Sequence, residues 1–264
     1  MENIILGIIQ GITEWLPVSS KSAIILIEEN IFNRPNSISE IIRLALFLHL
    51  GTFLAALIYL RKDVRHILGS IFNYKSSDAE TKKITKFLII STLVSGIIGL
   101  GLFKILLNLE SISPVTGKIA TLVIGLLLLV TAVIQLRAKK GGIRQASELT
   151  NKDSVILGIA QGLAAIPGFS RSGFTVSALL LRKFNDDTAL RLSFLMSLPA
   201  VLGGNIVLNL TNLSLSTGNL ISLLFSFVFG LLTIDLLLRF AKKVNFGYFV
   251  LFFGIITIAT SLLI

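Results

Sequence analysis

Two short polar loops carry the residues whose types and spacing could do chemistry. Pro17–Ser22 reads Pro-Val-Ser-Ser-Lys-Ser, and Pro167–Ser172 reads Pro-Gly-Phe-Ser-Arg-Ser. In each loop the proline ends an incoming helix, because it lacks an N–H and restricts the residue before it. The serine that follows is suited to cap the outgoing helix, whose free N–H groups and positive dipole end favour an anion. We therefore expect two helix N-termini that face a bound anion.

The excess of positive charge at the two loops also predicts that an anion binds between them. Lys21 and Arg171 place two cations beside the helix N-termini, whereas Glu14 is the only carboxylate in the motifs. A guanidinium offers a planar fork that suits phosphate, and an ammonium offers a point charge. The sequence thus predicts a phosphate-binding site. Its hydroxyl donors would be Ser19, Ser20, Ser170, Ser172 and Thr175.

Glu14 is the most informative single residue, because it stands within an apolar stretch. It could be a structural partner of Lys21 or Arg171. A functional carboxylate near a phosphate would instead bind a divalent cation, Mg²⁺ or Ca²⁺, or act as a base toward a hydroxyl or water. Gln10, one helical turn earlier on the same face, can orient or coordinate a ligand but cannot titrate.

The elements that must position these residues are membrane helices. Hydrophobic residues make up 53% of the 264-residue chain and charged residues 14%, with a mean hydropathy of +0.87. Such a chain has too little polar surface to solvate a globule. A helix needs ~20 residues to cross a ~30 Å hydrocarbon core. Six segments are long and apolar enough to do so: 40–60, 85–107, 115–137, 187–210, 218–238 and 246–264.

Other classes of protein are excluded by composition and by the placement of charge. The chain has no cysteine, which excludes disulfides and thiol catalysis. Its net charge of +10 does not indicate a nucleic-acid partner, because the basic residues lie in short loops between apolar runs. A topology signal explains that placement better. The expected surroundings are membrane lipids.

Two more apolar segments, 3–27 and 153–182, are broken by the polar loops. Lipid cannot satisfy a broken backbone, so such breaks occur only where protein buries them or where they line a wet cavity. Basic residues cluster at 61–86, 137–152 and 239–243, and the positive-inside rule assigns these stretches to the cytoplasm. Counting spans from them makes 153–182 a re-entrant hairpin on the cytoplasmic side. Its counterpart, 3–27, would enter from the outer face.

The two broken segments form an internal repeat. Gly7–Ser22 reads GIIQGITEWLPVSSKS and aligns, after a one-residue gap, with Gly158–Ser172, which reads GIAQGLAAIPGFSRS. Each copy precedes three spans, an odd number, so the halves must insert with opposite orientation. Inverted repeats of this kind place a site near the bilayer midplane.

The predicted fold class is therefore all-α, in a single polytopic transmembrane domain. It would consist of two inverted-topology repeats with six spanning helices and two re-entrant helix-loop-helix hairpins. Repeat one would occupy 1–137 and repeat two 153–264, joined by a cytoplasmic linker at 138–152.

These motifs resemble those of the undecaprenyl-diphosphate phosphatase family, the bacitracin-resistance lipid phosphatases. That family carries (Glu/Gln)-x-x-x-Glu followed by Leu-Pro-(Val/Ile)-Ser-Ser, matched here by Gln10–Ser20. It also carries Pro-Gly-x-Ser-Arg-Ser-x-x-Thr, matched here by Pro167–Thr175. The resemblance extends over essentially the whole chain.

The resemblance implies removal of the terminal phosphate from a polyprenyl diphosphate, which recycles a lipid carrier of the cell envelope. It implies a multi-pass plasma-membrane protein with its site open to the extracytoplasmic side. Ser20 would be the nucleophile, Glu14 the catalytic or metal-binding carboxylate, and Arg171 the phosphate clamp. Gln10, Ser19, Lys21, Ser170, Ser172 and Thr175 would complete the substrate site. A homodimer is compatible with the sequence but is not determined by it.

One departure from the family pattern leaves alternatives open. Many members have Ser-Ser-x-Gly-His, whereas Ala23 occupies the histidine position here. Lys21 could supply the missing cation, Glu14 could act alone, or water could attack directly. His49 could replace the base, although a histidine inside a span is more often a helix-packing residue. Loss of the imidazole also leaves an alternative function, a polyprenyl-phosphate transporter with the same inverted-repeat fold.

Three further positions have structural interpretations. Asp235 and Arg239 are spaced as an i,i+4 ion pair. Gly203 and Gly204 are expected to be helix-packing positions. His66 is expected to be solvated beside a basic stretch.

Overall fold

The computed structural model describes residues 1–32, 37–112, 117–138, 141–210 and 216–263. Within these ranges the chain forms eleven α-helices and two short 3₁₀ turns. The helices are α1 Glu2–Thr13, α2 Ser20–Asn30, α3 Ile38–Tyr59, α4 Arg61–Phe72, α5 Ala79–Ile112, α6 Gly117–Arg137, α7 Asn151–Leu163, α8 Arg171–Leu181, α9 Asp186–Asn209, α10 Thr217–Lys243 and α11 Gly247–Leu263.

Five helices in the described ranges are long and apolar enough to cross a membrane: α3, α5, α6, α9 and α10. The sixth predicted span contains α11, which is apolar but only 17 residues long. Side chains on the outer surface suit lipid, since Ile97 is 75% exposed and Leu232 is 72% exposed. The chain is thus an all-helical, multi-pass membrane protein. Residues 115, 116 and 264 of the predicted spans lie outside the described residues, as do Lys139 and Lys140 of the basic linker.

The first basic stretch, 61–86, is largely helical, whereas the sequence analysis placed its basic residues in a loop. It contains α4, in which Arg61, Lys62 and Arg65 are exposed. It also contains the charged beginning of α5, where Arg191 of α9 bonds Glu80 at 3.0 Å. Charged side chains are compatible with a helix where one helix face can stay in water. His66 is exposed on the same helix, which agrees with its predicted solvation.

Each broken segment folds as two short helices joined by a non-helical tip, as the sequence predicted. The first tip is residues 14–19 and the second tip is residues 164–170. Segment 3–27 gives α1 and α2, and segment 153–182 gives α7 and α8; these helices have 11 to 13 residues. None is long enough to cross a ~30 Å core alone. The incoming helices end at Thr13 and Leu163, four residues before Pro17 and Pro167. The prolines therefore lie inside the tips rather than at the helix ends.

The glycines shared by the two hairpins allow close helix packing. Gly7 and Gly11 of α1 face α10, and a Cβ at Gly11 would lie 2.8 Å from the backbone nitrogen of Gly230. Gly158 and Gly162 of α7 face α5, and a Cβ at Gly158 would lie 2.7 Å from the Cβ of Val94. Glycines four residues apart let two helix backbones approach closely within a membrane. The recurrent Gly-Ile-x-Gln-Gly sequence thus has a packing function in each hairpin.

A polar cluster fastens the linker to the second hairpin. Asp153, at the start of α7, is fully buried and accepts hydrogen bonds from Arg144 at 3.0 Å and from Thr150 at 2.6 Å. Arg182, just after α8, bonds its other oxygen. Burial raises the pKa of Asp153, but these hydrogen bonds outweigh it and lower the pKa to about 2. The carboxylate therefore holds the two ends of the hairpin together.

Candidate active site

The tips of the two hairpins meet and satisfy one another's polar groups. The Gly168 backbone N–H donates to the Ser22 hydroxyl over 2.8 Å. The Ser172 hydroxyl donates to the Leu16 carbonyl over 3.1 Å. Breaks in a helix leave backbone groups without intrahelical partners, and buried groups of this kind need other ones. Here each tip supplies some of those partners to the other.

Serines cap both outgoing helices, as predicted. Ser19 precedes α2 and accepts from the Ser22 N–H at 3.4 Å, while its backbone φ of 69° lies in the left-handed region. Ser170 precedes α8 and accepts from the Gly173 N–H at 3.1 Å. Capping satisfies one free N–H in the first turn of each helix and leaves the positive dipole end facing the tips. Both N-termini thus lie beside the same polar region.

Glu14 is the centre of the hydrogen-bond network at the tips. It is 6% exposed, and its Oε2 accepts from Gln10 Nε2 at 3.0 Å and from Ser20 Oγ at 2.9 Å. His49 Nε2 lies 3.0 Å from the same oxygen. Arg171 Nη2 contacts Oε1 from the other hairpin. A single carboxylate therefore joins both hairpins and α3.

The two cations have different partners. Arg171 pairs with Glu14, its Nη1 donates to the Ser193 carbonyl at 3.3 Å, and its guanidinium lies 5.7 Å from the Phe194 ring centroid. Lys21 donates instead to the carbonyls of Ala164 and Ala165, at 3.2 Å for the second. Those carbonyls follow the end of α7, where the helix dipole is negative. Each cation thus contacts the opposite hairpin.

His49, which the sequence offered only as a possible replacement base and not as a residue of the substrate site, lies at the tips. It lies in the middle of α3, 7% exposed, with Nε2 3.5 Å from Ser20 Oγ. Its Nδ1 lies 2.5 Å from the Ala45 carbonyl oxygen. An ionisable side chain inside a membrane segment is a signal of function. The sequence did not show that the interior of α3 would reach the tip of the first hairpin.

Two predicted substrate-site residues support the site from behind. Gln10 does not line the polar cavity but donates to Glu14. Thr175 is fully buried, where its hydroxyl donates to the Arg171 carbonyl at 2.8 Å and contacts the Ser193 hydroxyl at 2.7 Å. It holds the first turn of α8 against α9. The other predicted residues, Ser19, Ser20, Lys21, Ser170 and Ser172, all line the polar cavity.

The donor set does not suit a cation held by the protein alone. The described residues contain no group of three or more histidines or carboxylates that could hold a metal ion. Both oxygens of Glu14 already accept from protein donors. To hold Mg²⁺ or Ca²⁺, this carboxylate would have to release Arg171. The divalent cation stays a prediction.

Two adjacent cavities lie beside the tips and share three lining residues. The smaller is polar, about 20 Å³, and contains Glu14, Ser20 and Ser170 in its lining. The larger is mostly apolar, about 300 Å³, and lies among α3, α5, the second tip and α9. Lys21, His49 and Arg171 line both. These three side chains therefore face a polar space on one side and an apolar space on the other.

The larger cavity corrects the interpretation of Gly203. Both Gly203 and Gly204 line this cavity, and a Cβ at Gly203 would meet no other atom within 4 Å. Gly204 does pack against another helix, because a Cβ added at Gly204 would lie 3.3 Å from Leu46 of α3. Gly203 is thus not a packing position but keeps the cavity open. By contrast, the predicted pair of Asp235 and Arg239 is confirmed at 2.8 Å.

Comparison with known proteins identifies the family. The family described as Bacitracin resistance protein BacA matches residues 3–259. The chain is 45% identical to the undecaprenyl-diphosphatase of Methanococcoides burtonii, with 99% of this chain and 98% of that protein covered. It is 37% identical to the undecaprenyl-diphosphatases of Methanothrix thermoacetophila and Sulfurisphaera tokodaii, each covering 100% of this chain and 97% of the relative. The chain therefore belongs to the bacitracin resistance protein BacA family.

Proposed function

We propose that the chain is a membrane phosphatase that hydrolyses a polyprenyl diphosphate, undecaprenyl diphosphate or a similar lipid, to the monophosphate and inorganic phosphate. The observation that carries this proposal is the arrangement at Glu14. One of its oxygens accepts from Ser20 at 2.9 Å, and the other contacts Arg171. A hydroxyl nucleophile and a phosphate-binding cation thus lie in one buried polar cavity. The names of the relatives, undecaprenyl-diphosphatase, support the same substrate.

Ser20 is the proposed nucleophile. Its oxygen would form a bond to the terminal phosphorus while the bond from that phosphorus to the bridging oxygen breaks. The monophosphate lipid would leave with the bonding electron pair, and water would then hydrolyse the phosphoserine, releasing phosphate and restoring the hydroxyl. Ser20 is also the first residue of α2, so the positive end of that helix faces the transferred phosphoryl group.

Arg171 is the proposed phosphate clamp. Its contacts with Glu14 and Ser193 use two of the five N–H groups of a guanidinium, and the rest are available to phosphate oxygens. Lys21, on the opposite side of the tips, adds a second positive charge. Positioned charges of this kind supply most of the catalysis in phosphoryl transfer. The groups that would stabilise the transition state thus come from both hairpins.

The apolar cavity would hold the first part of the isoprenoid tail. Its lining is mainly aliphatic, including Ile42, Leu46, Leu100 and Val207. Because it shares Lys21, His49 and Arg171 with the polar cavity, a lipid in it would place its diphosphate at Ser20. The remainder of a long tail would extend into the bilayer.

We also propose an orientation for the chain in the membrane. Two inverted repeats, 1–137 and 153–264, would be joined by the cytoplasmic linker 138–152. The packing supports this arrangement, because α1 lies against α10 and α7 lies against α5, and these are exchanged positions of the two repeats. The six spans and two re-entrant hairpins would lie in the plasma membrane with the site open to the extracytoplasmic side.

The predicted divalent cation would arrive with the substrate. Diphosphate oxygens and water are suitable ligands for Mg²⁺, and a cation on the substrate would neutralise part of its charge. Chelation should then lower phosphate release, and added Mg²⁺ or Ca²⁺ should restore it. An unchanged rate after chelation would remove the cation from the proposal without affecting the roles of Ser20 and Arg171.

The proposal is tested by phosphate release from farnesyl or longer prenyl diphosphates by the purified protein in detergent. Ser20→Ala should reduce release to background, and Arg171→Ala should lower it at least ~10²-fold, as the loss of one transition-state donor does. Ser177→Ala is a matched control, because Ser177 is a buried serine of α8 outside the site. Equal rates in all three variants would refute the assigned roles.

The same assay separates hydrolysis from the alternative of transport. Detergent micelles have no second compartment, so a transporter would release no phosphate in them. Wild-type protein that binds prenyl diphosphate without releasing phosphate would overturn the phosphatase and favour the transporter.

A further inference from the structure

We propose that His49 is the acid–base residue of the reaction, exchanging a proton with the Ser20 hydroxyl in each half of the catalytic cycle. This inference rests on the proposed function, since it requires Ser20 to be the nucleophile. The relevant contact is between His49 Nε2 and Ser20 Oγ at 3.5 Å. Catalytic hydrogen bonds are often long without substrate and shorten in the reacting complex.

The position of the proton on the imidazole follows from its neighbours. Nδ1 lies 2.5 Å from the Ala45 carbonyl oxygen, which can only accept. Nδ1 must therefore carry a hydrogen. In a neutral imidazole the other nitrogen, Nε2, then has a free electron pair. Nε2 lies 3.0 Å from Glu14 Oε2 and 3.5 Å from Ser20 Oγ. The Ser20 hydroxyl, which donates to Glu14, would rotate toward Nε2 to transfer its proton. The backbone of α3 thus fixes the tautomer that can accept a proton from the nucleophile.

The protonated imidazole would also be stabilised in place. Nε2 lies 3.0 Å from Glu14 Oε2, so an added hydrogen would bond the carboxylate while the Nδ1 hydrogen bonds Ala45. Both N–H groups of the imidazolium would then have acceptors. A carboxylate beside a catalytic imidazole stabilises the cation that forms during the reaction. Glu14 would therefore support the base rather than act as the base.

The contacts of Glu14 agree with that division of roles. The carboxylate accepts from Gln10 and Ser20, and it pairs with Arg171. A carboxylate with this many donors around it has little remaining capacity to take a proton. Nε2 of His49, in contrast, has only Ser20 Oγ and Glu14 Oε2 as its polar partners within the described part of the chain.

The charged groups around His49 come from three elements. Glu14 belongs to the first tip, Lys21 to α2 and Arg171 to α8, and all three line a cavity with His49. α10 also packs against α3. Its Asp235 pairs with Arg239 and accepts from Tyr59 at the end of α3, and its other ionisable residues, Lys242 and Lys243, are in its last turn.

The imidazole of His49 can carry out every proton transfer in the catalytic cycle. His49 takes the Ser20 proton as the oxygen–phosphorus bond forms, and it passes that proton to the bridging oxygen of the departing monophosphate. In the second half it takes a proton from the attacking water. It returns that proton to the Ser20 oxygen as the phosphoserine bond breaks, and phosphate leaves.

The test compares His49→Gln with His66→Gln, a matched control at an exposed histidine of α4. The purified proteins are assayed in detergent with farnesyl diphosphate across a range of pH. His49→Gln should lower kcat ~10²–10⁴-fold, the usual contribution of a general acid–base residue, with KM little changed. The dependence of kcat/KM on pH should also differ between this variant and the wild-type protein. His66→Gln should keep the wild-type rate and pH profile.

A second variant keeps the proposal falsifiable if glutamine disturbs the site. His49→Ala leaves space at the cavity, where added imidazole should restore part of the rate in proportion to its concentration. A structural histidine would give no such rescue. Wild-type rate and pH profile in His49→Gln, or no rescue of a folded His49→Ala, would overturn the proposal.

These outcomes are distinct from failure of the proposed function. If Ser20→Ala and Arg171→Ala are inactive while His49→Gln matches wild type, only the role of His49 is lost. If the wild-type protein releases no phosphate, the phosphatase itself is lost.

Discussion

The Ser20 hydroxyl oxygen lies 2.9 Å from Oε2 of Glu14, and Arg171 contacts the other oxygen of the same carboxylate. The proposed nucleophile and the proposed clamp come from different hairpins, separated by most of the chain. Glu14 therefore sets the distance between them. Changes to this carboxylate, or to the groups that hold it, should affect catalysis more than they affect folding.

Replacing Arg171 with lysine should show that geometry as well as charge is required. A lysine keeps the positive charge but cannot contact both Glu14 and the Ser193 carbonyl, because it lacks the planar fork. We expect kcat/KM for farnesyl diphosphate to fall at least ~10-fold, the equivalent of about 1.4 kcal/mol of transition-state stabilisation. Arg239→Lys, in the exposed pair with Asp235, is the control and should have no effect. Full activity of Arg171→Lys would mean that a point charge is sufficient.

Filling the apolar cavity at Gly203 should discriminate between tail lengths. A Cβ at this position would meet no atom within 4 Å and Gly203 lines the cavity, so we expect Gly203→Phe to fold with its ring in the cavity. We expect KM to rise for long prenyl diphosphates and to change little for a short one such as isopentenyl diphosphate. Gly101→Phe is the matched control, because Gly101 also has open space but does not line the cavity. An equal effect on both substrates would argue against the tail site.

A methyl group at Gly11 should destabilise the protein without touching the site. The added Cβ would lie 2.8 Å from the backbone nitrogen of Gly230, so α1 and α10 would have to separate. Overpacking of this kind costs about 1–3 kcal/mol. The thermal midpoint of Gly11→Ala in detergent should fall, whereas Gly96→Ala, where the Cβ meets nothing within 4 Å, should keep it. A wild-type midpoint for Gly11→Ala would show that these helices tolerate a wider separation.

The Asp153 cluster should make stability depend on acid pH. The folded-state pKa of about 2 lies below the ordinary value of 3.8, so ionised Asp153 stabilises the folded state. Its contribution is fully present above about pH 4 and is lost as the pH falls toward 2. The thermal midpoint of the wild-type protein should decrease over that window.

Asp153→Asn should remove both the stabilisation and its pH dependence. We expect a loss of about 3 kcal/mol, the low end for a buried pair that loses one partner, since Arg144 and Arg182 are partly exposed. Asp187→Asn, at a carboxylate whose side chain is 79% exposed, is the control. If the two variants lose equal stability, the Asp153 cluster is not what fastens the linker.

The family and the two polar tips were evident from the sequence because their signals are local. A proline and a capping serine act on the helix ends beside them, as Ser19 and Ser170 do. Membrane spans follow from the length of an apolar run, and five of the six predicted spans correspond to helices that meet that criterion. The i,i+4 spacing of Asp235 and Arg239 likewise placed both side chains on one helix face.

The pairing of charges and the shape of the cavities were decided by tertiary structure. Glu14 could have paired with Lys21 or Arg171, and only the crossing of the two tips assigned it to Arg171 and left Lys21 on the carbonyls of the second tip. His49 and Gly203 belong to spans whose sequences do not show which face turns toward the tips. That depends on how α3 and α9 pack against the hairpins, an arrangement set by long-range contacts among side chains far apart in the chain.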